Sequence, residues 1–166
     1  MKKLLYLFLI LASFGISAQT TAEEYYNRGT VKVPLKDYNA AIADFTKAIE
    51  LDPDYTKAYY NRGITKYRLK DNYGAIADYT KAIDLDPNFT VAYYNRGITK
   101  RKLKDYNGAI ADYTKAIELD PNYTDAYYNR AISKYYANDL IGAYKDAKKV
   151  ENLGRNFIKM IQAACN

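Results

Sequence analysis

Residues 90–123 read TVAYYNRGITKRKLKDYNGAIADYTKAIELDPNY, and residues 56–89, TKAYYNRGITKYRLKDNYGAIADYTKAIDLDPNF, are nearly the same string. The tetrapeptide Tyr-Tyr-Asn-Arg begins at Tyr25, Tyr59, Tyr93 and Tyr127, each 34 residues after the last. Gly29, Gly63, Gly97 and Ala131 keep the same phase, as do Ala41, Ala75, Ala109 and Ala143, and Pro53, Pro87 and Pro121. A fixed period of this length predicts stacked helix-turn-helix units, none of which buries its apolar face alone.

The second helix of each unit is the clearer. Ala109, Ile110, Tyr113, Ala116 and Ile117 fall at helical spacing on one face. The stripe recurs as Ala41, Ile42, Phe45, Ala48 and Ile49, as Ala75, Ile76, Tyr79, Ala82 and Ile83, and as Ala143, Tyr144, Ala147 and Val150. These positions predict a core, with Gly97 of the first helix set against Ala109 so that two backbones approach closely. Asp-Pro at Asp52, Asp86 and Asp120 ends the second helix, because the residue before Pro is pushed out of the α region.

Three departures stand out. Pro34 lacks an N–H near the end of the first helix, so that helix ends early or kinks. Asp71-Asn72-Tyr73 moves a Tyr one place along from its positions in Asp37-Tyr38 and Asp105-Tyr106. The fourth unit loses its Asp-Pro, and Phe157, Ile158, Ile161 and Ala164 follow as an amphipathic segment, with Lys159 and Gln162 outward, that reads as a cap. No comparable helix precedes Glu23, which leaves the first unit partly exposed or covered by a partner.

With an aromatic residue, a Gly, two Ala and a Pro in that family's places, residues 90–123 closely resemble the tetratricopeptide repeat. The resemblance runs from Ala22 to about Phe157, as units 22–55, 56–89, 90–123 and 124–157 with a closing segment over 158–166. It implies an all-α, right-handed α-solenoid that acts as a noncatalytic binding scaffold, with a protein or extended peptide as partner in its concave groove. The fold alone does not name that partner.

At the amino end Lys2 and Lys3 precede an apolar run from Leu4 to Ile16, followed by Ser17, Ala18 and Gln19. These are the parts of a secretory signal peptide, and the run is shorter than the ~20 apolar residues that span a bilayer. Cleavage after Ala18 is expected, giving a periplasmic or secreted chain with no stable membrane insertion; an uncleaved anchor is the alternative. Removing residues 1–18 takes two of the 25 basic residues and none of the 19 acidic ones. The remaining excess of basic charge is mild and is not a nucleic-acid signature. The single Cys, Cys165, permits no internal disulfide.

Arg28, Arg62, Arg96 and Arg130 stand where the family usually carries a hydrophobic residue, and Asp44, Asp78, Asp112 and Asp146 follow each of them at the same interval. Such a repeated pairing predicts partly buried structural ion pairs. A row of arginines gripping ligand carboxylates is the alternative, and it leaves the Asp unexplained.

Asn27, Asn61, Asn95 and Asn129, beside Tyr26, Tyr60, Tyr94 and Tyr128, occupy the part of the first helix that lines the groove in this family. An amide both donates and accepts, so the row suits successive peptide groups of an extended chain. Local consensus work is the plain alternative. Ile64, Tyr67, Ile98 and Arg101 join these groove candidates, with Lys57, Arg68, Val91 and Lys102. The family's carboxylate clamp needs Lys, Asn and Arg where this chain has Tyr26, Thr30 and Asn95, and only Asn61 matches it.

Basic residues gather where the first helices end, as Lys66, Arg68 and Lys70 and as Lys100, Arg101, Lys102 and Lys104. Helix-end electrostatics accounts for such a cluster. Attachment to an acidic envelope polymer or anionic lipid surface is the functional alternative, and self-association through poorly capped ends is a third. With no His and, beyond residue 18, one Ser and one Cys, a catalytic triad or a Cys/His metal site is excluded. No cofactor or metal is expected.

Overall fold

The computed structural model describes residues 20–156. Residues 1–19 and 157–166, which carry the expected signal segment and the expected cap, lie outside the described residues. Eight helices fill the described part: α1 Ala22–Lys32, α2 Tyr38–Leu51, α3 Thr56–Arg68, α4 Asn72–Leu85, α5 Thr90–Lys102, α6 Tyr106–Leu119, α7 Thr124–Tyr136 and α8 Leu140–Asn152. They pack as sequential antiparallel pairs, and each second helix also packs against the first helix of the next pair. Successive first helices α3, α5 and α7 touch one another as well, which puts them on the inner, concave layer of an all-α solenoid.

Local chemistry fixes the turns. Asp37, Asp71, Asp105 and Asp139 cap the second helices through Oδ1, accepting from the third backbone N–H. Where that residue is Gly74, Gly108 or Gly142 the bond is 2.8–2.9 Å, and at Ala40 it lengthens to 3.4 Å. The reason is steric: a Cβ at Gly108 would lie 2.1 Å from Asp105 Oδ2. Before each cap the chain enters the left-handed region at Lys36, Lys70, Lys104 and Asn138, with φ from 62° to 65°. At the other turn Asp52, Asp86 and Asp120 are extended ahead of their Pro, and their carboxylates accept from the N–H two residues on. The first helix opens on a capping box between Thr21 and Glu24 and ends at Lys32, short of the position where α3 reaches Arg68, as Pro34 requires.

The core is built from Ala41, Ala75 and Ala109, Ala48, Ala82 and Ala116, and Ala58, Ala92 and Ala126, all fully buried, with Phe45, Tyr79 and Tyr113 between them. The expected close approach of glycine and alanine is seen in the second unit, where a Cβ at Gly63 would lie 3.3 Å from the Ala75 carbonyl oxygen, and a tighter contact accompanies it. A Cβ at Gly97 would sit 2.7 Å from Tyr113 Cε1, and Gly29 and Gly63 meet Phe45 and Tyr79 in the same way. Glycine therefore makes room for an aromatic ring. In the fourth unit the ring position is Ala147 and the glycine position is Ala131, so both sides of the contact change together.

Tyr144, expected in the core stripe, and the displaced Tyr73 both sit in solvent. Tyr73 is 77% exposed, and Asn72, in the place of Tyr38 and Tyr106, takes the half-buried site instead. Tyr144 is 65% exposed, beside Leu140 and Ile141, because no described helix follows α8 to cover it. Among the described residues no helix is long and apolar enough to cross a membrane.

Candidate functional site: the concave layer

Each first helix carries an Arg that grips the second helix of its own unit. Arg62 Nε and Nη2 donate to Asp78 at 2.9 and 2.7 Å, Arg96 to Asp112 at 3.0 and 2.7 Å, and Arg130 to Asp146 at 2.8 and 2.7 Å. Arg28 grips Asp44 in the same bidentate way. The four Asp are buried, and each also receives a Lys one turn after its Arg: Lys32, Lys66, Lys100 or Lys134 at 2.7–2.9 Å. Two cations thus share one buried carboxylate, and the Arg28 guanidinium, followed by Lys32, holds Asp44 below the usual carboxylate range against the opposing effect of burial.

The third arm of the Arg ties units together. Nη1 of Arg62, Arg96 and Arg130 donates at 3.0 Å to Thr46, Thr80 and Thr114, on the second helix of the preceding unit. The same guanidinium lies over Tyr59, Tyr93 or Tyr127. Arg28 has no preceding described unit, and its side chain is 53% exposed where the others are 13–15%. Lys66 and Lys100, grouped with the basic edge by sequence, belong to these ion triads instead. The recurrence of Lys four residues after every Arg was the signal for it.

The Asn row is partly committed to the scaffold. Nδ2 of Asn61, Asn95 and Asn129 donates to the Tyr26, Tyr60 and Tyr94 hydroxyls of the preceding unit at 2.8, 2.8 and 3.0 Å. Those Tyr rings are themselves wedged, Tyr60 against Tyr79 and Phe89, and Tyr94 against Tyr113 and Tyr123. Burial raises the pKa of Tyr60 and of Tyr94. Asn129 is buried and spends its amide on both Tyr94 and the Asp125 carbonyl, so a uniform ladder of four free amides is not what the fold presents. Asn61 and Asn95 stay half-buried with one N–H and the carbonyl in hand, and Asn27 is exposed.

Toward the carboxy ends of α3 and α5 the inner layer turns basic. Lys102 Nζ reaches over the Tyr67 ring at 4.5 Å, and Arg101 lies half-buried against the Tyr113 hydroxyl. Ile64 and Ile98 are half-buried one turn earlier on the same helices, and Tyr128 is buried. At the other end, a depression between the first two units is lined by Glu23, Tyr26, Asn27, Asp52, Asp54 and Tyr55. Among the described residues no group of three His, Cys, Asp or Glu side chains could hold a metal ion.

Family models described as tetratricopeptide repeat match residues 56–89, 90–123 and 112–147, and one described as TPR repeat matches residues 29–70. The chain belongs to the tetratricopeptide repeat family. Members of this family are typically protein-protein interaction scaffolds, usually noncatalytic, and no catalytic domain is found in this one. The crystal structure of MamA is similar over 83% of this tetratricopeptide repeat chain and 81% of its own, at 24% identity and a TM-score of 0.80. MamA from Desulfovibrio magneticus RS-1, residues 41 to the end, aligns over 82% of this chain and 77% of its own at 24% identity and 0.77. These two likenesses bear on the fold alone. The first TPR of Spaghetti (RPAP3), bound to the HSP90 peptide SRMEEVD, aligns over 76% of this chain and 99% of its own at 27% identity and 0.67. No curated protein matches the chain.

Proposed function

We propose that the concave layer holds an extended segment of a partner protein. The observation that carries this is the pair Asn61 and Asn95: each spends one N–H on a Tyr of the preceding unit and keeps a donor and an acceptor for a ligand, one solenoid step apart. An extended backbone offers donors and acceptors of the same kind. The Tyr hydroxyl fixes the amide's orientation, so little freedom is lost on binding. Ile64 and Ile98 add apolar contact. The similarity to a repeat domain seen with a bound peptide supports the same reading. Asn61→Ala and Asn95→Ala together, in a chain whose circular dichroism is unchanged, should abolish capture of partner protein by immobilised chain. Capture at the wild-type level would refute the reading.

Export is part of the proposal and rests on residues 1–18. Amino-terminal sequencing of the chain expressed in a bacterium should begin at Gln19; a chain that begins at Met1 would count against it.

A second reading, attachment of the basic edge to a polyanion, is favoured by one feature. Lys36, Lys70 and Lys104 hold a left-handed backbone that costs a β-carbon residue ~1 kcal/mol or more, where the fourth unit has Asn138. Binding released by moderate salt and kept by the Asn variant would select this reading.

A further inference from the structure

Cations of the first helices fall into two classes. Arg28, Arg62, Arg96 and Arg130, with Lys32, Lys66, Lys100 and Lys134, are paired with buried Asp in every unit. Arg68, Arg101 and Lys102, and Lys57 at the opposite end of α3, take part in none of the described ion pairs and occur in the second and third units only. The positions of Arg68, Arg101 and Lys102 change from unit to unit: Val33, Tyr67, Arg101 and Tyr135 at one, Pro34, Arg68, Lys102 and Tyr136 at the next. Neither register has a structural task common to all units, unlike the Arg-Asp register.

These three cations stand in the last turns of α3 and α5, and one of them bridges the two helices. Lys102 crosses from α5 to the Tyr67 ring on α3, Arg68 follows Tyr67 at the end of α3, and Arg101 sits one residue before Lys102 on α5. Arg101 Nε and the Tyr113 hydroxyl are buried, and the guanidinium lies close enough to the phenol to oppose the rise that burial gives its pKa. A half-buried guanidinium whose neighbour is a neutral phenol, with no carboxylate in a described ion pair, is poorly compensated in the free protein, and an anionic group arriving from the groove relieves it. At the first unit the charge reverses, since Glu23, Asp52 and Asp54 outnumber Lys57 around the depression there.

We infer that Arg68, Arg101 and Lys102 form an anchoring subsite for a short acidic stretch, Asp or Glu side chains, of the extended segment bound in the groove. The inference rests on the groove reading and names its partner's chemistry. The acidic stretch lies over the second and third units, and a segment acidic along its whole length is repelled at the first.

The test is selection of random dodecapeptides displayed on phage, with an amidated synthetic copy of the best one titrated by fluorescence anisotropy. Baits are the wild-type chain and the Arg68→Gln/Arg101→Gln/Lys102→Gln variant. Wild-type protein should enrich Asp and Glu, and Gln in their place should weaken the synthetic peptide at least about tenfold, the scale of a charge-assisted contact. In the variant that ratio should fall to near one, with the Gln peptide bound as before. Enrichment of acidic residues that persists undiminished on the variant overturns the subsite but leaves groove binding standing, as does selection without acidic enrichment. Retention of no peptide by the wild-type chain overturns the groove reading and the subsite with it. Because the three side chains join no described ion pair, the variant should fold as the wild type does, which circular dichroism checks.

Discussion

Replacing Gly97 by Ala sets two effects of opposite sign against each other, and the contact with Tyr113 decides the outcome. Ala is the better helix former by about 1 kcal/mol. Its Cβ, however, would stand 2.7, 3.0 and 3.1 Å from Cε1, Cδ1 and Cζ of Tyr113, well inside the 3.5–4.0 Å at which carbon atoms attract. Tyr113 is fully buried, so the ring has nowhere to go. Overpacking of this kind costs about 1–3 kcal/mol. The single substitution should therefore be neutral to destabilising by up to about 2 kcal/mol. In a Tyr113→Ala background the ring is gone and only the propensity remains, so Gly97→Ala should stabilise by about 1 kcal/mol. The fourth unit, with Ala131 and Ala147, already has that combination. Urea unfolding of the four proteins, followed by circular dichroism, gives the cycle directly. A coupling energy of about 1–3 kcal/mol is expected. Gly97→Ala with the same effect in both backgrounds would refute the packing argument.

Other substitutions probe the ion triads, the buried phenols and the left-handed lysines. Asp112→Ala leaves Arg96 and Lys100 uncompensated and should cost about 3–5 kcal/mol; Arg96→Ala should cost less because Lys100 still faces the carboxylate, and urea midpoints in any other order would contradict the shared-carboxylate picture. Burial pushes the Tyr113 hydroxyl from 10 to about 12, so the unfolded chain ionises first. Its contribution is complete below pH 10 and is lost as pH rises toward 12, about 3 kcal/mol for this residue alone. Loss of helix signal should coincide with tyrosinate absorbance, and ionisation of all 20 tyrosines with the helices intact would speak against it. Lys104→Asn, at φ 64°, should raise thermal stability by about 0.5–1 kcal/mol; a drop would mean that the lysine makes a compensating interaction.

The period, the helix pairs and the Asp-Pro turns were legible because each rests on a residue's own chemistry repeated at a fixed interval. Pro34 foretold the early end of α1 for the same reason. What sequence missed was contact across units. Nothing in the spacing says that Asn61 hands an N–H to Tyr26, or that Arg62 reaches Thr46, since those partners meet only once the units are stacked. The tighter contact of Gly97 with the Tyr113 ring was hidden too, because a small residue accommodates a backbone and a ring equally well. Tyr144 matched the core stripe in sequence and is exposed because, among the described residues, no further helix packs on α8 as α3, α5 and α7 pack on the second helices before them.

Internal comparison of the four units also separates scaffold from recognition, and a swap tests that separation. Residues identical in every unit, the Arg, the Asp and the Asn, turn out to bind other parts of the solenoid, wholly or in part. Residues that differ from unit to unit on the same inner layer, such as Tyr67, Arg101 and Tyr135, have no common internal task and are free to follow a ligand. Giving the third unit the fourth unit's pair, Arg101→Tyr with Lys102→Tyr, therefore should leave the urea midpoint nearly unchanged and remove the preference for acidic peptides. Giving the third unit a foreign residue at an invariant position, as in Arg96→Leu, should do the reverse, lowering stability while the surviving folded protein keeps the preference. If the lane swap unfolds the chain, or the Arg96 change alters peptide choice in protein that remains folded, then invariance among the units does not mark the scaffold, and the assignment of the groove cations to a ligand loses its footing.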